Sequence, residues 1–111
     1  MLAVPPDHTY CDRVERLEAS TCVVSPEGDL DMAASRRLRD ALRRCLLAST
    51  PRCVVDLSKV SLLDASAIRA LTEARDQMAA RGKKMILARP SIAARRVLEA
   101  SGSLAGFAVS A

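Results

Sequence analysis

The sequence predicts a single α/β domain, in which a mixed, mostly parallel β-sheet of four to five strands packs with three to four α-helices. The length of 111 residues suits one domain with one core. Half of the residues are apolar but only 2% are aromatic, so we expect a core of aliphatic side chains. Short apolar runs alternate with helical patterns, and helices that follow strands imply right-handed crossovers between parallel strands.

The N-terminal part is predicted to hold a leader and two strands. Residues 1–9 contain two prolines and show no periodicity, so we expect a flexible leader before a domain that spans 10–111. A weak alternation predicts an edge strand over Tyr10–Leu17. Thr21–Ser25 predicts a stronger strand, because a proline and a glycine follow it closely.

An apolar stripe predicts the first helix. Gly28–Asp31 is predicted to be a turn, and its last residue, Asp31, can cap the helix that follows. Apolar residues then recur every three or four positions: Ala34, Leu38, Ala41, Leu42, Cys45 and Leu46. Five arginines crowd the same segment: Arg36, Arg37, Arg39, Arg43 and Arg44. We interpret them as a solvated helix face in preference to a nucleic-acid patch.

The middle of the chain predicts a buried strand and a second helix. Cys53–Leu57 is a continuous apolar run, as expected of a strand covered on both faces. A second short apolar run leads to Asp64, after which the helix begins. At 100° per residue, one arc should face the core: Ala67, Leu71, Ala74 and Met78. Ser66 falls on another side with Arg69, Glu73 and Gln77, so we expect it to be accessible, with Ile68 on the flank.

The last third predicts a strand, a helix and a weak strand. Gly82 marks the end of the second helix, and Lys84–Ala88 is the next strand. Pro90-Ser91 opens a third helix over Ile92–Ala100, which Gly102 ends. Phe107–Val109 is either a weak last strand or the docked tail of the chain.

The cysteines and the single histidine do not predict a metal site. Cys11, Cys22, Cys45 and Cys53 form no Cys-x-x-Cys pair, and His8 is the only imidazole, so a structural zinc site is disfavoured. In a reducing compartment the cysteines are small apolar residues. A redox bridge between Cys11 and Cys22 stays open, because those two residues lie on predicted neighbouring antiparallel strands.

The sequence favours a binding module over an enzyme. It has neither of the common glycine-rich phosphate loops and no Gly-x-Ser-x-Gly elbow, so we expect no catalysis, no cofactor and no bound metal. The scarcity of aromatic residues disfavours base stacking. We also find no apolar run long enough to span a membrane and no signal peptide, and we therefore expect a cytoplasmic protein.

Three motifs and a late helix carry a resemblance to a known family. Gly28-Asp29-Leu30-Asp31, Val54-Val55-Asp56-Leu57 and Leu63-Asp64-Ala65-Ser66-Ala67 stand in the order of the family's Gly-Glu-Leu-Asp, Asp-Leu-Ser and Asp-Ser-Ser-Gly motifs. The segment from Pro90 to Gly102 is similar to the family's last helix. The chain thus resembles the STAS domain over roughly residues 20 to 104, a family whose best-known soluble members are the bacterial anti-sigma factor antagonists.

The resemblance implies a function and a site. In these antagonists the second serine of the last motif is phosphorylated, and it falls on Ser66. The implied partner is an anti-sigma factor, a histidine-kinase-like ATPase that phosphorylates this serine, and the chain itself supplies no catalysis. The implied partner-binding residues surround Ser66: Asp31, Asp64, Ala65, Ala67, Ile68 and Arg69. Ala65 and Ala67 depart from the family, which has serine and glycine at those positions.

Two alternatives remain open. The chain could be a STAS-type subunit of a lipid transporter or a stress-signalling scaffold that acts without phosphorylation. It could instead bind nucleic acid directly through its arginine-rich helix, although we expect no specific binding. A weak homodimer also stays open.

Overall fold

The computed structural model describes residues 13–17 and 21–110. The strands are β1 (Arg13–Leu17), β2 (Thr21–Ser25), β3 (Gly28–Leu30), β4 (Arg52–Asp56), β5 (Val60–Leu63), β6 (Lys84–Ala88) and β7 (Ala108–Ser110). The helices are α1 (Met32–Leu47), α2 (Ala65–Ala80), α3 (Ile92–Ala100) and a 3-10 turn at Leu104–Gly106. The leader predicted at 1–9 and the first residues of the strand predicted from Tyr10 lie outside the described residues, so the predicted domain boundary stays a prediction.

The strands form two sheets. The larger one has the order β1-β2-β4-β6-β7, and only β1 and β2 run antiparallel. This confirms the mixed, mostly parallel α/β architecture. The smaller sheet pairs β3 with β5 in parallel, and the sequence did not predict it.

The turn predicted at Gly28–Asp31 is wrong over most of its length. Gly28–Leu30 is strand β3, and only Asp31 acts as a cap. Gly28 has the positive φ of 84° that glycine tolerates, which explains why this segment resembles a turn in the sequence. Leu30 is completely buried opposite Leu63, and a strand of three residues is too short to show an alternating pattern.

The helices α1 and α2 pack against each other and against one face of the larger sheet. Both predicted apolar stripes are confirmed, since all four predicted core residues of α2 are buried and Leu46 is the only partly buried member of the α1 stripe. Lys83 holds the C-terminal end of α1, because its Nζ donates to the backbone oxygen of Cys45 at 3.0 Å and also to that of Ala48.

The C-terminal tail completes the larger sheet. Helix α3 has the predicted bounds, and β7 begins just after Phe107 and pairs with β6. The Phe107 side chain is buried, with the guanidinium of Arg75 4.9 Å from its ring centre. Arg75 also donates to the backbone oxygen of Gly106 at 3.0 Å. This one side chain of α2 therefore contacts two consecutive residues of the tail, Gly106 and Phe107.

Candidate functional site

The smaller sheet places two aspartates side by side. Strands β3 and β5 end at Leu30 and Leu63, which are register partners, and the Asp64 N–H donates to the Leu30 oxygen at 3.2 Å. Each strand is followed by an aspartate that caps the next helix. Asp31 Oδ1 accepts from the Ala34 N–H at 2.9 Å, and Asp64 Oδ1 accepts from the Ala67 N–H at 3.0 Å. The N-termini of α1 and α2 are therefore neighbours, and Asp31 is the cap that the sequence predicts.

Two serines join these caps. The Ser66 hydroxyl donates to Asp64 Oδ1 at 2.5 Å, and Ser35 Oγ lies 2.8 Å from Ser66 Oγ. Ser35 Oγ also lies 2.8 Å from the Asp31 backbone oxygen, to which it donates. Each hydroxyl has a single proton, and these protons are directed at Asp64 and at the Asp31 backbone oxygen. The two serine oxygens therefore bond to each other when either proton turns toward the other oxygen, and either serine can be the donor. We call Asp31, Ser35, Asp64 and Ser66 the serine–aspartate cluster.

The cluster lies partly at the surface. Asp31 is exposed, Asp64 and Ser66 are half-buried, and only 2% of Ser35 is exposed. Burial acts to raise the pKa of Asp64, but hydrogen bonds from the Ser66 hydroxyl and from backbone N–H groups outweigh it and lower that pKa. A carboxylate with a lowered pKa is ionised at neutral pH, so any group added to Ser66 would meet a negative charge.

The other residues predicted to contact a partner differ in how exposed they are. Ala65 and Arg69 are exposed, and Ile68 is half-buried on the flank, as expected. Ala67 is completely buried, so the expectation that it contacts a partner is wrong for its side chain. It belongs to the same core arc as Leu71, where a methyl group packs well. Its φ is not positive, so this position does not demand glycine.

The sequence did not predict a role for Ser35. A buried serine in a helix was not expected, since polar side chains on an amphipathic helix usually face the solvent. The signal was nevertheless present, because Ser35 stands three residues before Leu38 and seven before Leu42 and so shares their face.

Asp56 has a local role. Its Oδ1 accepts from the Ser58 N–H at 2.9 Å and so satisfies a donor of the turn after β4, and its Oδ2 pairs with Arg89. Burial acts to raise the pKa of Asp56, but the bonds from Ser58 and Arg89 prevail and lower it. Asp56 has no hydrogen bond to the serine–aspartate cluster among those described.

The arginines of α1 lie at the surface. Arg37 is half-buried and the other four are exposed. Arg39 forms an ion pair with Glu73 of α2, which offsets part of the positive charge on this side.

Neither a metal centre nor a membrane span emerges from the part of the chain that the structure describes. No group of three or more His, Cys, Asp or Glu residues is placed there to hold a metal ion. None of the helices described combines the length and the apolar character that crossing a membrane would need.

Comparisons with known proteins identify the family to which this fold belongs. The model of the STAS domain matches residues 13–110. No curated protein sequence matches the chain. An anti-sigma factor antagonist from Mycobacterium paratuberculosis has a similar structure, with a TM-score of 0.81 and 24% identity over 97% of this chain and 90% of that one.

Two structures of one further protein are also similar. SpoIIAA, an anti-sigma factor antagonist, matches in its unphosphorylated form with a TM-score of 0.77 and 20% identity, over 91% of this chain and 88% of that one. The phosphorylated form of the Bacillus cell fate determinant SpoIIAA matches with a TM-score of 0.72 and 20% identity, over 91% of each chain.

Proposed function

The chain belongs to the STAS domain family, and from this premise we propose that it is a cytoplasmic anti-sigma factor antagonist that Ser66 switches. In the proposed cycle the unphosphorylated form binds an anti-sigma factor and so frees a sigma factor. The anti-sigma factor is an ATP-dependent serine kinase, and it transfers a phosphoryl group to Ser66 Oγ. The phosphorylated chain then leaves the complex. The kinase supplies the catalysis, and this chain is its substrate.

The observation that carries the proposal is the position of Ser66 Oγ between two helix N-termini. A phosphoryl group there would add about −1.5 to −2 charges at pH 7. The N–H groups at the start of α2 would partly stabilise that charge, whereas the ionised Asp64, whose Oδ1 is 2.5 Å from Ser66 Oγ, would repel it. We therefore expect the fold to tolerate phosphorylation while the electrostatics of the docking surface change.

Phosphorylation would also remove a hydrogen bond. The Ser66 proton that now bonds to Asp64 is lost when Oγ is esterified. Ser35 would then be the only one of the two serines with a hydroxyl proton, and it would bond to the phosphoester only by turning that proton away from the Asp31 backbone oxygen. A partner that docks around Ala65, Ile68 and Arg69 would meet a bulky anion at the centre of its interface. A loss of about 2 to 4 kcal/mol would suffice to dissociate a micromolar complex, since each 1.4 kcal/mol is tenfold in affinity.

The similar structures support this proposal. SpoIIAA is an anti-sigma factor antagonist, and that protein has both an unphosphorylated and a phosphorylated form. A further structural match, at 21% identity, is an S58E variant of RsbS from Moorella thermoacetica. At these identities the likeness extends the fold to this chain, and the switch at Ser66 is our inference.

A second candidate function is suggested by the hydrogen bonds that the Ser66 hydroxyl already makes within the chain. This hydroxyl contacts both Asp64 and Ser35 and is only half-buried rather than open. A STAS-type subunit with a permanent partner, such as a component of a lipid transporter or a stress-signalling scaffold, would use the same surface without any phosphoryl transfer.

A capture experiment separates the two candidates. The tagged chain, Ser66→Ala and Ser66→Glu are incubated with extract of the source cells, and bound proteins are identified. We expect wild type and Ser66→Ala to retain an ATP-binding anti-sigma factor, and Ser66→Glu to lose at least 90% of it. With ATP, that partner should add one phosphoryl group to wild type but none to Ser66→Ala.

Gln77→Glu is the matched control. It adds the same charge to the exposed side of α2, eleven residues beyond Ser66 and so roughly 16 Å along the helix, which exceeds the Debye length of ~8 Å at physiological salt. This variant should keep the partner. Equal binding by Ser66→Glu and wild type would contradict the switch, and capture of a transporter subunit that is indifferent to Ser66→Glu would favour the second candidate.

A further inference from the structure

Three cysteines meet beneath the C-terminal half of α1. Cys22 lies on β2, Cys45 on α1 and Cys53 on β4, and all three are thiols. Their exposed fractions are 4%, 1% and 1%. The bridge considered from the sequence, between Cys11 and Cys22, cannot be compared, because Cys11 lies outside the described residues. We call the three buried residues the thiol cluster.

The backbone brings the cluster together by three separate routes. Strands β2 and β4 are parallel neighbours in which Cys22 and Cys53 are register partners, so their side chains point to the same face of the sheet. Helix α1 packs on that face, and Cys45 is one of its buried residues. Lys83 fixes this end of α1 by donating to the Cys45 backbone oxygen at 3.0 Å.

Two sulfurs of the thiol cluster lie close together. Cys45 Sγ lies 2.6 Å from Cys22 Sγ, although the two residues are 23 positions apart in the chain. A covalent S–S bond is about 2.05 Å long, so a movement of only a few tenths of an ångström would close it. The Cys53 thiol is also in hydrogen-bonding contact with Cys45.

We propose that Cys22 and Cys45 are a redox modification site, at which a reversible disulfide fastens α1 to β2. Hydrogen peroxide is a suitable oxidant because it is small enough to reach a buried thiol. One thiolate attacks a peroxide oxygen, the O–O bond breaks, and the hydroxide that leaves takes up the thiol's proton as water. The second sulfur then attacks the resulting sulfenic sulfur, an S–S bond forms, and a second water leaves. Two thiols are oxidised and one peroxide is reduced.

The environment makes this reaction slow. Hydrogen bonding to Cys53 and burial raise the pKa of the Cys45 thiol above its usual range, so few thiolates exist at neutral pH. Oxidation therefore requires sustained exposure to peroxide rather than a brief pulse. Disulfides inside cells are usually transient and redox-sensing, which suits a bond that reductants can reopen.

The inference rests on the thiol cluster alone and does not depend on the proposed switch at Ser66. A disulfide between two residues 23 positions apart restricts the unfolded chain and so stabilises the folded one. For a domain of this size we expect a rise in melting temperature on the order of 10 °C.

The test uses the full chain with Cys11→Ser, so that only the three cluster thiols remain. The protein is incubated with hydrogen peroxide, unfolded, alkylated and mapped by mass spectrometry without reduction. We expect a Cys22–Cys45 linked peptide, a raised melting temperature, and reversal of both by a thiol reductant. A bond that involves Cys53, or three thiols that all remain alkylatable, would overturn the assignment.

Two variants in the same background separate the bond from other oxidation. Cys45→Ala should show no rise in melting temperature with peroxide, because its partner sulfur is absent. Cys53→Ala should keep both the linked peptide and the rise. Both substitutions remove only a sulfur from the core, so both variants should fold, and a rise that persists in Cys45→Ala would refute the proposal.

Discussion

The carboxylate of Asp64 caps α2 and accepts the Ser66 hydroxyl, and both interactions favour its ionised form. Its pKa in the folded chain lies below the value of about 3.9 expected when unfolded. Ionisation therefore stabilises the fold above about pH 4, and this contribution is lost as the pH falls from there through the folded pKa.

Asp64→Asn tests this linkage, because asparagine retains the capping geometry without the charge. We expect the variant to lose about 1 kcal/mol of unfolding free energy at pH 7 and to approach wild type as the pH falls below 4. Urea denaturation across that range measures the difference. Asp40→Asn, on the exposed face of α1, should change stability less at every pH, and a constant deficit for Asp64→Asn would refute the role of its charge.

Ser35 and Ser66 should be energetically coupled, because their hydroxyl oxygens are 2.8 Å apart. Each Ser→Ala variant is expected to cost about 1 kcal/mol through lost hydrogen bonds. The double variant should cost less than the sum by roughly 0.5 kcal/mol or more, since the shared bond is lost only once. A double-mutant cycle by chemical denaturation measures this term, and strict additivity would show that the two hydroxyls do not interact in solution.

At the scale of elements, α1 owes its stability to the apolar stripe rather than to its arginines. Leu38 is completely buried, whereas 71% of Met32 is exposed on the same helix. Leu38→Ala should lower the unfolding free energy by about 2 to 5 kcal/mol, and Met32→Ala should change it by less than about 0.5 kcal/mol. Urea unfolding measures both, and similar costs would indicate that the stripe does not anchor α1.

The helices could be predicted from the sequence because their periodicity is local. Helix α3 begins and ends where its capping serine and final glycine predict. Strand β3 could not be predicted, since three residues carry no period and the partner strand β5 lies thirty residues further on. Parallel pairing is non-local, and it depends on packing that no short motif records.

The difference between local and non-local signals also decides how much of the serine–aspartate cluster and of the thiol cluster could be predicted. Asp31, Asp64 and Ser66 could be predicted because caps and motifs are local. The place of Ser35 depends on which face of α1 meets α2. The contact between Cys22 and Cys45 depends on α1 packing over β2, whereas the sequence could only offer the adjacent strand as a partner for Cys22.

At the scale of the whole molecule, α1 connects two features with different chemistry. Ser35 and Cys45 are ten residues apart, roughly 15 Å along the helix. The serine–aspartate cluster occupies its N-terminal end and the thiol cluster its C-terminal end. Oxidation of the thiol cluster should therefore leave the surface around Ser66 unchanged, so that the two proposals can fail independently.

The net charge of +4 predicts only weak, unspecific attraction to nucleic acid. Four arginines of α1 are exposed, but one of them, Arg39, is paired with Glu73. We expect weak retention of duplex DNA near 50 mM salt, equal for two unrelated sequences, and loss of most of it by about 200 mM. Fluorescence anisotropy measures both dependences.

Arg36→Ala with Arg43→Ala tests the origin of that attraction. Because counterion release scales with the number of phosphates neutralised, the double variant should bind less at low salt and show a shallower salt dependence. Lys84→Ala with Lys59→Ala removes two exposed charges outside α1 and serves as the control. Binding that distinguishes the two DNA sequences and persists at about 200 mM salt would instead make the arginine face a specific nucleic-acid surface, and the serine–aspartate cluster would no longer account for the protein's main interaction.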